Sequence, residues 1–549
     1  MTIALDKLFR TATCVALLTA GGAAIAQQAP VKERPLPKLV QKDGRYALMV
    51  DGAPYLMLGA QAHNSSGWPA MLPKVWPAIE YLHANTLEIP IYWEQFEPKP
   101  GQFDYTVVDT ILTQAREHHV RLDLLWFGTW KNGSQHYMPQ WMKADPERYF
   151  HLIDKNGRPA DSPSPFCTAS QELDIRAFTA FMRHLKAADP QRTVIIVQVE
   201  NESGTWGSVR DYSPAAQKLF EAPVPAGVLK AMGKQSGAPV NWQDAFGPEA
   251  EVNFHAWAVA TYVGKVAAAG KAVYPLPLYA NAALRDPIKP GAPGSYEAGG
   301  PTDNVISIWK VAAPAIDIEA PDIYMNDATA YLKVLELYRR DDNALFVAET
   351  SGGAANARFF FSTLGLQGIG FSPFGLDYSN TPSVPAAPPA SAPAAAARGP
   401  QDQFAPAAQN YQLIGPMMRD IARLNFEGKL QAAAEEAGKP TQTLPFKQWN
   451  AAVSYGAGRG GRAAGNAEPV GRALVAQLGD NQFLVAGFSS RVDFRPAAAD
   501  KRRQFMRVDE GVYENGAFKF IRILNGDETD NGLNFRSEPI VLRVSLGVY

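Results

Sequence analysis

The chain has 549 residues, of which 46% are hydrophobic, 11% are aromatic and 19% are charged, and its formal net charge is -2. This length exceeds one ordinary domain and suits a large barrel with an appended domain. Nucleic-acid and anionic-membrane partners favour clustered Lys and Arg, so the near balance of charge argues against both classes.

The N-terminus has the features of an export signal. Two basic residues precede the apolar run 15–26, which ends in Ala24-Ile25-Ala26. Small residues at these positions predict a signal peptide over residues 1–26, and hence a periplasmic or secreted protein. We expect no integral membrane segment, because no other run is long and apolar enough to span a bilayer.

Apolar strand-like runs alternate with amphipathic helical stretches from about residue 36 to residue 426. The candidate strands are Tyr55–Ala60, Thr86–Pro90, Arg121–Trp126, Thr193–Glu200, Leu276–Asn281, Ala320–Tyr324, Ala344–Glu349 and Gly368–Pro373. Such alternation is typical of βαβ units and a parallel sheet. We predict a closed (β/α)8 TIM barrel. An open doubly wound sheet is the alternative, but no Gly-rich nucleotide loop follows the first strand.

The pattern changes twice in the last third of the chain. The Pro/Ala-rich stretch 381–400 interrupts the eighth unit and is predicted to be a loop insertion, because its composition cannot bury enough apolar surface. Residues 429–549 alternate in strand fashion, and Asn525-Gly526 is a hairpin-turn signal. We therefore assign residues 27–428 to the barrel and residues 429–549 to a C-terminal all-β, sandwich-like domain.

Two of the candidate strands end in Glu. The fourth runs into Glu200-Asn201-Glu202, and the seventh ends at Glu349. Burying a carboxylate without a partner is costly, so an acid at the end of an apolar strand indicates either function or a salt-bridged structural role. In a parallel barrel the strand ends meet at one face, where active sites lie.

Two facing carboxyl groups are what glycoside cleavage requires. One protonates the departing oxygen, and the other attacks the anomeric carbon or activates water. Glu202 lies nearer the mouth than Glu200 and is the expected acid. Glu200 is expected to be a buried orienting partner.

Several motifs resemble those of a known family. They are Gly59-Ala60-Gln61-Ala62-His63, Tyr92-Trp93-Glu94-Gln95-Phe96-Glu97-Pro98, Met138-Pro139-Gln140-Trp141 and Gln198-Val199-Glu200-Asn201-Glu202-Ser203-Gly204. Over roughly residues 45 to 380 the sequence resembles the retaining clan A barrel glycosidases, and more narrowly glycoside hydrolase family 35, which includes many β-galactosidases.

The resemblance implies a role for particular residues. It makes Glu202 the acid/base, Glu349 the nucleophile and Asn201 a ligand of the sugar 2-hydroxyl, and it implies a hydrogen bond from Tyr324 to the nucleophile. The family's carboxylate after strand three is absent, because residues 128–133 contain none.

Other residues near strand ends are candidates for sugar binding. They are His63, Glu88, Trp93, Trp126, Trp130 and Asn281. No His/Cys/Asp cluster has metal-ligand spacing, and no Gly-x-Ser-x-Gly or phosphate-loop motif is present, so we expect neither a metal nor an organic cofactor.

The sequence thus predicts a retaining exo-β-galactosidase. Its expected partners are carbohydrates, namely galactosides such as plant cell-wall oligosaccharides, and not nucleic acid. Two alternatives remain open at this point: another clan A enzyme of the β-mannanase or β-glucanase type, and a non-catalytic carbohydrate-binding protein. The second has no evident need for a pair of strand-end acids.

Overall fold

The computed structural model describes residues 33–234, 238–380, 403–456 and 463–549. The expected signal peptide and the Pro/Ala-rich insertion 381–400 lie outside these ranges. Among the described residues, no helix combines the length and apolar character needed to cross a membrane.

Eight parallel strands close into a barrel in sequence order. They are Met57–Gln61, Thr86–Tyr92, Arg121–Lys131, Val194–Asn201, Leu278–Ala283, Ile318–Ile323, Phe346–Thr350 and Gly370–Pro373. Each overlaps one of the runs predicted from the sequence, and the TIM-barrel prediction is confirmed. The runs are recognisable because strands of a parallel barrel are buried on both faces and are therefore almost continuously apolar.

Helices cover the outside of the barrel. Those that follow the successive strands are Leu72–Leu82, Thr106–Glu117, Thr168–Ala188, Ala250–Val273, Ile306–Ala312, Ala328–Tyr338, Phe359–Gly365, and the pair Ala405–Ile414 and Met418–Phe426. Short helices lie in the loops at Trp93–Phe96, Gln140–Lys143, Pro214–Glu221, Ala226–Ala231, Trp242–Phe246 and Ala354–Ala357. A small antiparallel sheet precedes the barrel, with strands Lys38–Lys42, Arg45–Val50 and Ala53–Tyr55. A two-stranded sheet in the loop after the third strand pairs His151–Ile153 with Pro159–Pro163.

The C-terminal domain consists of two antiparallel sheets around a core of its own. The larger sheet has, in spatial order, strands Leu430–Ala434, Arg472–Gly479, Gln482–Phe488, Ile540–Val548, Arg503–Glu514 and Ala517–Ile523. The smaller has Thr441–Pro445, Trp449–Tyr455, Ser490–Pro496 and Leu533–Phe535. The all-β prediction for this end of the chain is confirmed.

The hairpin predicted at Asn525-Gly526 was wrong. Gly526 begins a single 3-10 turn, and the next strand, Leu533–Phe535, belongs to the other sheet. The two-residue hairpin is at Asn515-Gly516, where φ is 50° and 77° and residues 514 and 517 pair. Asn-Gly suits that turn because both central positions need positive φ.

The larger sheet packs directly on the barrel. Its outward-facing residues Leu474, Leu484 and Phe488 join the core beneath the barrel helices. A Cβ at Gly365, in helix Phe359–Gly365, would lie 2.3 Å from the carbonyl oxygen of Ala432, so the close approach there requires glycine.

Tyr411 fastens the seam between the last and first barrel strands. Its buried hydroxyl lies 2.8 Å from the carbonyl oxygen of Gly59 and 2.7 Å from that of Phe371.

We expect Tyr411→Phe to lower the free energy of unfolding by about 1–3 kcal/mol, because buried carbonyl groups would lose their donor. Thermal denaturation followed by circular dichroism measures this. The control Tyr46→Phe removes a surface bond to Asp341 and should change the midpoint less, since water can replace that hydroxyl.

Candidate active site

Three carboxyl groups converge where the barrel strands end. Glu202 follows the fourth strand, Asp322 lies on the sixth and Glu349 on the seventh. One carboxylate oxygen of each lies within 4.8 Å of one oxygen of each of the others. The closed parallel barrel thus brings together acids that are far apart in the chain.

Three donors hold the carboxyl group of Glu349. Gln61 Nε2 donates to its Oε1 at 3.0 Å, and Asn201 Nδ2 donates to the same oxygen at 3.3 Å. Tyr324 donates its hydroxyl proton to Oε2 at 2.8 Å, which is the hydrogen bond that the resemblance implied. These contacts fix the orientation of a carboxyl group that is only 4% exposed.

Glu202 faces Glu349 in a different environment. Burial, and then the nearby carboxylate of Glu349, raise the pKa of Glu202 to about 7, against the opposing effect of Lys131. Its backbone N–H donates to Asn281 Oδ1 at 2.9 Å. Glu202 is therefore a carboxyl group that can carry a proton near neutral pH.

Asp322 lies near Glu202 from the sixth strand, across the fifth strand that carries Asn281. Asn281 Nδ2 donates to Asp322 Oδ2 at 2.7 Å, and one carboxylate oxygen of Asp322 lies within 4.8 Å of one of Glu202. Burial, followed by the charges of Glu349 and Glu202, raises the pKa of Asp322 well above its usual range. With both pKa values raised, we interpret the two groups as sharing a proton near neutral pH.

The backbone is strained at the end of the fourth strand. Glu200 and Glu202 have φ values of 63° and 43°, in the left-handed region that costs a non-glycine residue roughly 1–2 kcal/mol. Glu200 Oε2 accepts a hydrogen bond from the backbone N–H of Trp130 at 2.7 Å, and burial, followed by the charge of Asp174, raises the pKa of Glu200 well above its usual range. Glu200 thus holds the strand end, as expected of an orienting partner.

Lys131 is the cation of the site. It ends the third barrel strand, is 4% exposed, and donates through Nζ to Asn201 Oδ1 at 2.8 Å. Asn201 in turn donates to Glu349, so one amide links the ammonium group to that carboxylate. The charge of Lys131 also acts to lower the pKa of Glu202, Asp322 and Glu297.

The three tryptophans predicted to stack on a sugar lie elsewhere. Trp93, Trp126 and Trp130 are at most 1% exposed and belong to the core between barrel and helices. Their indole N–H groups donate to Glu97, Asp174 and the carbonyl of Gly204 respectively. The prediction was wrong for these residues because their side chains point outward into the helix layer, and position along a strand does not fix on which side a side chain lies.

The remaining predicted residues have mixed positions. The amide of Asn281 bonds both acids: its Oδ1 accepts from the backbone of Glu202, and its Nδ2 donates to Asp322. His63 lines a cavity of about 500 Å³ beside Tyr324, and its Nδ1 is 2.8 Å from Asp377 Oδ1. Glu88 does not line a pocket, because it is fully buried in the barrel interior beside Asp123.

Sequence reasoning missed four polar residues and one aromatic residue at the mouth. They are Gln61, Lys131, Glu297, Asp322 and Trp206. Gln61, Lys131 and Asp322 lie at or near the ends of barrel strands, so the criterion that found Glu349 could have found them too. Glu297 and Trp206 come from irregular loops, where no periodicity indicates which way a side chain points.

The carboxyl trio is also the one group, within the part of the chain that the structure describes, with the spacing to hold a metal ion. Its surroundings favour protons instead. Burial raises the pKa of both Glu202 and Asp322, and Lys131 already supplies a positive charge beside them. A metal ion would have to displace the proton held by Glu202 or Asp322 and approach the ammonium group of Lys131.

Two family models match separate parts of the chain. Residues 78–263 match glycoside hydrolase family 42, described as "Beta-galactosidase", and residues 407–536 match a "Domain of unknown function (DUF5597)". Each covers less than half of the chain. The first spans barrel strands two to four, including Glu202, and the second spans most of the β-domain and the helices that lead into it.

Individual proteins with similarity include β-galactosidases and the catalytic domain of a β-amylase from Paenibacillus polymyxa, which gives a TM-score of 0.42 at 12% identity and covers 57% of this chain and 91% of that chain. "Beta-galactosidase 14" of Arabidopsis thaliana is 25% identical over 220 residues, which are 37% of this chain and 23% of that protein. The chain therefore matches about a quarter of the length of this curated relative. Among solved structures, β-galactosidase from Marinomonas ef1 gives a TM-score of 0.47 at 12% identity, with 69% of this chain and 62% of that chain covered. The enzyme from Bacillus circulans sp. alkalophilus gives 0.42 at 12% identity, covering 58% and 50%.

The closed barrel is similar, over residues 78–263, to a clan A glycoside hydrolase family of β-galactosidases. This statement rests on the closed barrel and on the family 42 match, with carboxyl groups at the ends of the fourth and seventh strands. The matching family model is family 42, whereas the sequence motifs indicated family 35.

Metal titration tests the interpretation of the carboxyl trio. We expect dialysis against EDTA, or addition of Ca²⁺ or Mg²⁺, to leave the thermal midpoint unchanged, because protons and Lys131 already balance these acids. A cation present at 100 times its Kd would instead stabilise the protein by about 2.7 kcal/mol. Stabilisation that disappears in Asp322→Asn would contradict the proton-sharing interpretation.

Proposed function

We propose that the protein is a retaining exo-β-galactosidase in which Glu349 is the nucleophile and Glu202 the acid/base. The observation that carries this proposal is the approach of their carboxylate oxygens to within 4.8 Å. Retaining enzymes hold the two carboxyl groups roughly 5–5.5 Å apart, whereas inverting enzymes leave about 6.5–9.5 Å for a water molecule. The short gap favours direct attack by one carboxylate.

The first step forms a covalent glycosyl-enzyme. Glu349 Oε attacks the anomeric carbon, and the bond from that carbon to the leaving oxygen breaks. Glu202 gives its proton to the leaving oxygen, so an alcohol departs instead of an alkoxide. The donors Gln61, Asn201 and Tyr324 keep the attacking carboxylate aimed at the carbon.

The second step releases the sugar with its original configuration. Glu202, now ionised, takes a proton from water, and the water oxygen attacks the anomeric carbon as the ester bond to Glu349 breaks. Both carboxyl groups return to their starting states, and the net reaction is hydrolysis. The pKa of Glu202 near 7 suits a group that must be acid in one step and base in the next.

Galactose is the proposed sugar, and the family 42 match and the Arabidopsis relative support it. Within the clan, the motif around Glu202 supports family 35. The apolar N-terminal run supports export, with plant or algal oligosaccharides as the substrates available outside the cell.

Variants of the two acids test the mechanism. We expect Glu349→Ala to lose on the order of 10⁴-fold or more in kcat on every aryl β-galactoside, because no nucleophile remains. Glu202→Ala should lose roughly 10²–10⁴-fold with a poor leaving group and far less with dinitrophenolate, which departs without a proton. Steady-state kinetics on aryl galactosides measure both.

The control for these variants is Glu94→Gln, a partly exposed acid paired with Lys143, which should leave the rates close to wild type. Proton NMR of the first product should show the β-anomer. An α-anomer, or equal rates for wild type and Glu349→Ala, would contradict the proposal. Wild-type activity confined to β-mannosides or β-glucosides would favour the other clan A alternatives.

The pH profile of kcat/KM reports the acid in the free enzyme. Glu202 must be protonated to start the reaction, so activity should fall as pH rises through about 7. Lys131 lowers the pKa of Glu202, so Lys131→Met should move this basic limb to higher pH. Lys143→Met, at a surface ion pair, is the matched control. A basic limb that does not move in Lys131→Met would show that another group controls it.

A further inference from the structure

A fourth carboxyl group, that of Glu297, lies near Glu202, on a loop that follows the fifth barrel strand. The loop is held against the segment after Glu202 by paired backbone bonds between Thr205 and Ala298, of 2.8 and 3.0 Å. This pairing places Glu297 next to Gly204: a Cβ on that glycine would lie 2.8 Å from Glu297 Cγ. The position of Glu297 is therefore set by the backbone and not by bonds of its own side chain.

The carboxyl group of Glu297 has no hydrogen-bond partner among the described residues. The residue is 2% exposed, and its Oε1 is buried and unpartnered. Burial, and then the charge of Glu202, raise the pKa of Glu297 well above its usual range. A buried polar group without a partner lowers stability, so a ligand that supplies the missing partner is the simplest reason for its presence.

An exposed tryptophan adjoins this carboxyl group. Trp206 is 52% exposed, although large aromatic side chains are usually buried. Trp206 and Glu297 meet over Gly133: a Cβ there would lie 2.9 Å from Trp206 Cδ1 and 2.8 Å from Glu297 Oε1. Gly133 also donates its backbone N–H to the carbonyl of Glu202 at 2.9 Å. A flat apolar face and a polar group thus lie side by side, next to the acid.

Contacts at the barrel mouth show on which side of Glu202 this pair lies. Glu297 lies against Gly133 and Gly204, in the segments that follow the third and fourth barrel strands. Glu349 lies on the seventh strand, which is opposite the third in the closed barrel. The pair therefore lies on the side of Glu202 away from the nucleophile. In a retaining glycosidase the side of the acid away from the nucleophile faces the leaving group.

We propose that Trp206 and Glu297 form a binding site for the leaving sugar of an oligosaccharide substrate. The sugar ring packs on Trp206, and one of its hydroxyl groups bonds the carboxyl group of Glu297. This inference rests on the proposed function. Because Glu202 and Glu297 crowd the site with carboxyl groups, it fits a neutral sugar and disfavours a uronic acid.

Two substrates that differ only in the leaving group test the site. β-Galactosyl fluoride loses a fluoride ion, whereas a β-galactosyl disaccharide loses a sugar that would occupy the proposed site. For Trp206→Ala and Glu297→Met we expect kcat/KM on the disaccharide, relative to the fluoride, to fall at least tenfold. Glu297→Gln keeps hydrogen-bonding groups and should recover part of this ratio. Trp68→Ala, an exposed tryptophan of another loop, should leave the ratio unchanged.

Stability gives a second readout that separates binding from a structural role. Glu297→Met removes a buried, unpartnered carboxyl group without changing the length of the side chain, so the thermal midpoint should rise. A lower midpoint, or equal losses on fluoride and disaccharide, would overturn the leaving-sugar site. Failure of the proposed function looks different: the wild type itself would then hydrolyse neither galactoside.

Discussion

Crowding of buried carboxyl groups at the barrel mouth is the constraint on which this site depends. Glu202, Asp322 and Glu349 approach within 4.8 Å of one another, and Lys131 is the cation beside them. Carboxyl groups at such distances cannot all be ionised, because their negative charges repel one another, so at least one of them keeps a proton near neutral pH. Repulsion among these carboxyl groups lowers the stability of the fold, but it also keeps Glu202 protonated beside the carboxylate of Glu349.

Specific hydrogen bonds from the barrel strands stabilise these crowded carboxyl groups. Gln61, Asn201 and Tyr324 all donate to Glu349, while Asn281 bonds both the backbone of Glu202 and the side chain of Asp322. These donors come from several different strands. Local strain at the fourth strand is tolerated because the surrounding barrel determines the backbone there.

Much of the fold was predictable because its signals are local. Each barrel strand is an apolar run, and the acids that end two of them, Glu202 and Glu349, stand out against it. Side-chain direction was not predictable in the same way. Trp126 was predicted to end a strand and face the ligand, but the strand continues to Lys131 and the side chain packs outward against the helices. Trp206 lies in an irregular loop, where no sequence period predicts its exposure. The turn at Asn515-Gly516 resembles Asn525-Gly526 in sequence, and only sheet pairing distinguishes them.

Glu349 and Glu297 show how partners reveal what a buried acid does. Glu349 has three donors from the protein, so its orientation is complete before any ligand arrives. Glu297 is equally buried and has none among the described residues. A carboxyl group that the protein already holds by hydrogen bonds is oriented to act on a substrate atom. A buried carboxyl group without such hydrogen bonds can form them only with a bound ligand. The first arrangement suits attack at a fixed carbon, and the second suits recognition of a hydroxyl group.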